Sequence, residues 1–123
     1  MSSSNTSIDR ESLDPDSWEF ELLVESYYDH AGIWEAVIIA RDKAKSITTE
    51  EILTGLKRLL ELGLIQAGYA RGTEFEVWPG SAESIIARIR EEWQALGHDP
   101  YLGDIGWLNS TQAGETLVKT LGR

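Results

Sequence analysis

The side chains that most often carry catalysis are scarce in this sequence, and they form no recognisable catalytic pattern. The only histidines are His30 and His98, and cysteine is absent. Two glutamate pairs, at 50–51 and 91–92, are adjacent in sequence, so the members of each pair point in different directions on a helix. No nucleophile elbow and no phosphate-binding glycine loop is present. The sequence therefore predicts no enzyme, no metal site and no cofactor.

The charge of the chain is strongly acidic but unevenly distributed. The formal net charge of −10 favours solubility and opposes non-specific adhesion to nucleic acid. Residues 1–40 carry nine acids and one base, and residues 59–123 carry nine acids and five bases. Residues 41–58 carry five bases against three acids, which makes this stretch the net-positive one. If the protein binds an anionic partner, we therefore expect the binding site within residues 41–58.

The apolar pattern also bears on where the protein works. No apolar run approaches the roughly 20 residues that a bilayer-crossing helix needs. The polar N-terminus, residues 1–7, lacks the apolar core of a signal peptide. We therefore expect a soluble, cytoplasmic protein, with residues 1–16 as a disordered leader and residues 17–123 as a single domain.

Helical periodicity dominates the first half of that domain. A first helix is predicted over 17–29, with Gly32 as a left-handed C-cap. Residues 33–40 are apolar almost all round, and their composition favours a helix, although length alone does not exclude a strand. Thr48 followed by Glu51 predicts a capping box at the start of a third helix, which Gly63 ends.

The second half alternates strands with helices. Strands are predicted over 65–70, 73–78 and 105–108, and helices over 82–96 and from about 111 to 121. Most of the five tryptophans are expected in the core, but Trp78 shares a strand face with acids and is a candidate exposed aromatic. The amphipathic helix over 82–96 either caps the sheet of its own chain or pairs with a second copy.

Two separated segments resemble the winged helix-turn-helix superfamily of bacterial regulators. The first, at 56–65, is a leucine-rich helix end followed by Gly-Leu-Ile, which resembles the step from the recognition helix into the wing. The second, at 107–115, resembles the returning strand of the wing running into a closing helix. The resemblance implies an α+β, mostly helical fold: a winged-helix core with a small antiparallel sheet. Residues 71–104 depart from the pattern, because a strand and a helix are inserted in or after the wing.

The resemblance also implies double-stranded DNA as the partner, read by the third helix and the wing. The positions that match the DNA-contacting part of the family, or flank it, are Lys43, Lys45, Thr48, Thr49, Thr54, Arg58 and Arg71. Glu50 and Glu51 stand in the same first turn, where phosphates would approach. These acids oppose binding, because phosphate neutralisation supplies most of the sequence-independent affinity for DNA.

Two functions therefore remain open. The first is a winged-helix DNA-binding protein that regulates transcription, with a possible homodimer through the 82–96 helix. The second is an acidic winged-helix module that binds another protein and no DNA. In that case the acids of the first helix would face a basic partner; they are Glu19, Glu21, Glu25 and Asp29.

Overall fold

Helices and strands are interleaved in the computed structural model, which describes residues 13–121. The elements, in chain order, are α1 (Trp18–Tyr28), β1 (Ala31–Gly32), α2 (Ile33–Lys43), α3 (Thr49–Glu61), β2 (Ile65–Arg71), β3 (Glu74–Val77), α4 (Ala82–Leu96), β4 (Trp107–Ser110) and α5 (Gln112–Thr120). The fold is α+β and mostly helical, with one antiparallel sheet, as the sequence predicts. Residues 1–12 of the predicted leader lie outside the described residues. Leu13, the first described residue, is buried in the core.

The link between α1 and α2 differs from the prediction. Gly32 is not a left-handed C-cap: its φ of −73° is extended, and it forms β1 together with Ala31. Gly32 is also the N-cap of α2, where its N–H donates to the Glu35 carboxylate at 2.8 Å. The lack of a side chain serves packing, because a Cβ on Gly32 would collide with the Trp34 ring. The predicted helix over 33–40 is confirmed and extends to Lys43.

The start and the end of α3 follow local sequence rules. Thr48 accepts a hydrogen bond from the Glu51 backbone N–H, and the Glu51 carboxylate accepts one from the Thr48 backbone N–H. This reciprocal capping box satisfies donors that a helix N-terminus leaves unpaired. At the other end Gly63 has a φ of 72°, a conformation that favours glycine, and the chain reverses there into β2.

The sheet is ordered β1-β4-β2-β3, so β2 is paired on both sides. Ala31 and Ala67 both lie opposite Leu108, and cross-strand partners share one face of a sheet. These three residues are buried against the helices. On the opposite face Trp107 stacks edge-to-face with Trp34, with their ring centroids 5.0 Å apart.

The inserted segment between β2 and β4 packs onto its own chain. The apolar face of α4 is buried within its own chain, but chiefly against α3 and not, as the first alternative predicts, against the sheet; it consists of Ile85, Ile86, Ile89 and Trp93. A homodimer through α4 would have to use its other faces and stays a prediction. The expected exposure of Trp78 is wrong: the side chain is 4% exposed. Its strand ends at Val77, and the guanidinium of Arg88 on α4 lies 3.9 Å from the Trp78 ring.

The start of α5 is fastened to the turn between α3 and β2. The predicted strand over 105–108 begins two residues later, because Ile105 has a φ of 72° and breaks the extended conformation. Thr111 caps α5, donates its hydroxyl to the Gly63 carbonyl and its N–H to the Leu64 carbonyl at 3.0 Å. A Cβ on Gly114 would collide with that Leu64 carbonyl. Gly114 therefore permits close packing at the start of α5.

The inward face of α3 generates a stability prediction with a matched leucine control. Leu56 is 0% exposed and Leu102 is 78% exposed. Leu56→Ala should lower the free energy of unfolding by about 2–5 kcal/mol, since truncating a buried leucine loses apolar burial and leaves a cavity. Leu102→Ala should change it by less than about 0.5 kcal/mol. Urea unfolding monitored by tryptophan fluorescence measures both, and equal losses would contradict the described core.

Candidate functional site

The residues predicted to contact DNA do not form one surface. Thr48, Thr49 and Thr54 belong to the first turns of α3 or its cap. Lys45 lies in the connector before α3 and lines a groove beside α2. Arg58 lines a small cavity with residues 13–19 at the start of α1, roughly 15 Å along the helix axis from Thr48. The predicted contacts are therefore divided among separate places.

The solvent-exposed side of α3 is acidic. Its exposed residues are Glu50, Glu51, Thr54, Arg58 and Glu61, which is three acids against one base. The neighbouring Lys57 is half-buried, and its Nζ lies 3.9 Å from Glu61 Oε2. A helix that entered a DNA groove with this side would bring carboxylates towards phosphates, which is unfavourable.

The inserted helix α4 packs directly beside the start of α3. Arg90 of α4 forms a two-pronged ion pair with Glu50: Nε lies 2.9 Å from Oε2, and Nη2 lies 2.9 Å from Oε1. These hydrogen bonds, aided by the positive charge, hold the pKa of the Glu50 carboxyl below its ordinary value. Arg90 is thereby occupied within the protein, and Glu50 stays ionised to lower pH than an isolated glutamate.

Two of the three threonine hydroxyls proposed to contact bases or phosphates already have backbone partners. Thr48 Oγ1 accepts the capping hydrogen bond from the Glu51 N–H. Thr54 Oγ1 donates to the Glu50 carbonyl at 2.9 Å, a common hydrogen bond within a helix. Thr49 is half-buried and lines a cleft of about 370 Å³ between α3 and α4. Both observed hydroxyl contacts serve the helix itself.

The remaining predicted cations are also dispersed. Arg71 at the end of β2 forms an ion pair with Glu76 of β3, with Nε 2.9 Å from Oε1. Lys43 and Lys45 are exposed at and just beyond the end of α2, and neither forms an ion pair with a described residue. The structure brings no continuous basic surface together from these residues.

A second surface, which the sequence did not predict, lies on α2. It is a groove of about 630 Å³ between α2 and the segment 99–102, and we call it the α2 groove. Its lining consists of Trp34, Val37, Ile38, Arg41, Asp42, Lys45, Asp99, Pro100, Tyr101 and Leu102. Ile38 is 61% exposed and Tyr101 is 66% exposed, which are large values for apolar or aromatic side chains. Contiguous exposed apolar surface of this kind marks interaction sites in soluble proteins.

Segment 99–102, the wall of the α2 groove opposite α2, is positioned by an ion pair to α2 and by a ring contact with the preceding residue. Arg41 makes a bidentate ion pair with Asp99, with Nε 2.9 Å from Oδ2 and Nη2 3.1 Å from Oδ1. The same guanidinium donates to the Ile47 carbonyl at 2.6 Å. The ring of His98 stacks on Tyr101 with centroids 4.6 Å apart. Segment 99–102 is therefore positioned against α2 by specific contacts.

The apolar surface continues from the groove towards α1. Trp34 and Ile38 also line a hollow of about 220 Å³, together with Ile39, Glu25 and Glu35. We call this hollow and the α2 groove together the α2 surface. The sequence did carry a signal for it: residues 33–40 are apolar almost all round, and one helix cannot turn every side towards the same core.

Comparison with known proteins gives no match for this chain. No family model matches it, and no curated protein or solved structure matches it either. The residues described also include no helix of the length and apolar content that would cross a membrane. What the chain binds is therefore inferred from its own two surfaces, the outward side of α3 and the α2 surface.

The Glu50–Arg90 pair generates a prediction for an NMR titration. Arg90→Gln should raise the pKa of Glu50 towards its ordinary value, because the hydrogen bonds and the positive charge are both lost. Since the folded-state pKa of Glu50 is lowered, the pair stabilises the fold above the unfolded-state pKa. That contribution is lost as the pH falls through the folded-state value. Carbon-detected titration of the Glu50 carboxyl measures the shift.

Arg88→Gln is the matched control for this titration. Arg88 lies on the same helix and pairs with Glu92, with Nε 3.2 Å from Oε2. Its loss removes the same charge from α4 but no hydrogen bond to Glu50. An equal pKa change in both variants would mean that the net charge of α4, and not the ion pair, sets the pKa of Glu50.

Proposed function

We propose that this chain is an acidic winged-helix-type module that binds a basic protein partner, and that α3 does not read DNA. The exposed side of α3 carries this proposal, because its exposed charges are three acids, Glu50, Glu51 and Glu61, and one base, Arg58. Arg90 pairs with Glu50 and Lys57 lies near Glu61, while Glu51 forms no ion pair with a described residue. A DNA-reading helix gains most of its affinity from cations that neutralise phosphates. The acids on this helix oppose such an approach and favour a partner of opposite charge.

The outward side of α1 supports the same proposal. Glu25 and Asp29 are exposed, Glu21 is half-buried, and none of the three forms an ion pair with a described residue. Tyr28, 70% exposed, lies among them. Tyrosine at an acidic surface suits protein recognition, because its ring gives contact area and its hydroxyl can hydrogen-bond.

DNA binding with transcriptional regulation is the second candidate function, and two observations favour it. The two segments that resemble the superfamily lie against each other, since Thr111 bonds to Gly63 and Leu64. Strand β4 also returns antiparallel to β2 and runs into α5, as the resemblance implies for a wing and its closing helix. On that candidate Lys43, Lys45, Arg58 and Arg71 would contact phosphates from separate elements.

A duplex DNA titration separates the two candidates. The proposed module should show no saturable binding to a mixed-sequence duplex at low salt, where electrostatic attraction to phosphates is strongest. Fluorescence anisotropy with labelled DNA, at low salt and again at about 0.2 M, measures this. Binding at low salt that weakens steeply with salt would count against the proposal.

The variants decide where any observed DNA binding resides. Arg58→Ala plus Lys45→Ala removes two predicted phosphate contacts, and Lys119→Ala plus Arg88→Ala removes the same charge elsewhere. Binding that is lost in the first double variant and kept in the second would establish the DNA-binding candidate in place of the module. Circular dichroism of each variant verifies that the helices remain folded.

A basic peptide tests the acidic surface of α1. A lysine-rich peptide without helical periodicity should bind with a salt-sensitive affinity, which Glu21→Gln plus Glu25→Gln should weaken by about threefold to tenfold. Glu83→Gln plus Glu91→Gln, two exposed acids of α4, is the matched control. An equal loss in both double variants would indicate attraction to net charge alone, without a defined acidic site.

A further inference from the structure

We infer that the α2 surface binds an amphipathic helix of a protein partner, with apolar residues in the α2 groove and basic residues facing α1. The inference rests on the proposed function and names its binding site and the class of partner segment. Helix-in-groove recognition places residues i, i+3 or i+4, and i+7 of the bound helix in an apolar groove. The α2 surface has three properties that such a segment requires. They are exposed apolar side chains, which we call the apolar floor, a length that fits a short helix, and acidic residues along one side.

The apolar floor is formed by large apolar or aromatic side chains that are exposed to solvent. Ile38 lies between the α2 groove and the hollow beside α1, so it contributes to both. Leu102 and Tyr101 face it from the other wall of the groove. The ends of the groove on α2, Trp34 and Asp42, are eight residues apart, which is about 12 Å along the helix axis. Two turns of a partner helix match this length.

The charges around the apolar floor differ between its two sides. Towards α1 it is bordered by Glu25 and Glu35, and neither carboxylate is neutralised by a described cation. Glu35 accepts the Gly32 N–H, which satisfies one of its oxygens and leaves the negative charge in place. At the far end the exposed Lys45 is offset by the exposed Asp42, and Arg41 is neutralised by Asp99, so this end carries no net charge. Partner bases are therefore favoured on the α1 side.

The same charges argue against a second copy of the chain as the occupant. A second copy would bring its own share of a net charge of −10 to a border already formed by acids. Like charges that face each other across an interface are costly, whereas a basic segment gains from the same border. The basic partner is thus favoured over a homodimer at this surface.

The test uses a designed peptide as the probe. The peptide carries leucine at positions i, i+4 and i+7 and lysine or arginine on the adjoining side, with a fluorescent label. The full chain should bind it, and Ile38→Gln plus Leu102→Gln should weaken binding at least tenfold, because two exposed apolar contacts at the centre of the site are lost. Anisotropy gives the affinity, and a change in the total tryptophan emission, to which Trp34 in the groove contributes, gives an independent signal.

Matched variants keep the result interpretable. Val77→Gln removes an exposed apolar side chain from β3, outside the α2 surface, and should leave the affinity within twofold. Glu25→Gln should weaken binding and reduce its salt dependence, and Glu91→Gln on α4 should not. The replaced apolar side chains are exposed, so thermal unfolding should match that of the parent chain.

Control peptides separate the inference from the proposed function. A peptide of the same composition in scrambled order should bind at least tenfold more weakly, since it presents no continuous apolar side. Equal binding of both peptides would contradict the binding of an amphipathic helix in the α2 groove, and it would leave the proposed function unaffected. Tighter binding of an acidic version of the peptide would contradict the inferred preference for basic residues beside α1. Self-association that Ile38→Gln abolishes would identify a second copy as the occupant and overturn the inference as well.

Discussion

The hydrogen bonds from Thr111 to the turn at Gly63 and Leu64 constrain the path of the chain where two distant segments meet. They join the end of α3 to the start of α5, although the two lie 48 residues apart in sequence. The turn at Gly63 leads directly from α3 into β2, which is the strand that pairs with both β3 and β4. The register of the sheet and the position of α3 therefore depend on one reversal of the chain. Gly63 permits it, and the contact with Gly114 keeps it close-packed.

Local signals predicted the elements well, because they act over a few residues. The capping box of Thr48 and the positive φ of Gly63 are properties of short segments, and both are present. Features that depend on distant partners were missed or misplaced. The sequence predicts Gly32 at a helix end, whereas this residue pairs with β4 and packs against the Trp34 ring. The alternation of its strand predicts an exposed Trp78, whereas the return of α4 buries the side chain.

The candidate site was harder to predict for the same reason. The resemblance predicts a site on α3, where threonines and bases occur within one net-positive stretch of chain. In three dimensions that stretch separates: Arg41 and Lys45 border the α2 groove, while Arg58 lies at the far end of α3. Charge counted along the sequence is therefore a poor guide to charge on a surface. The apolar excess of α2 was visible in the sequence, but the segment that completes the groove arrives from about 60 residues later.

The ion pair between Arg41 and Asp99 has an evolutionary consequence. It fastens the last part of the insertion to α2, so one wall of the α2 groove belongs to the core and the other to an excursion of the chain between paired strands. Excursions that leave and rejoin neighbouring strands tolerate changes of length and sequence better than core elements do. Selection can therefore alter the shape of the groove through residues near Tyr101 while the helices beneath it stay constant.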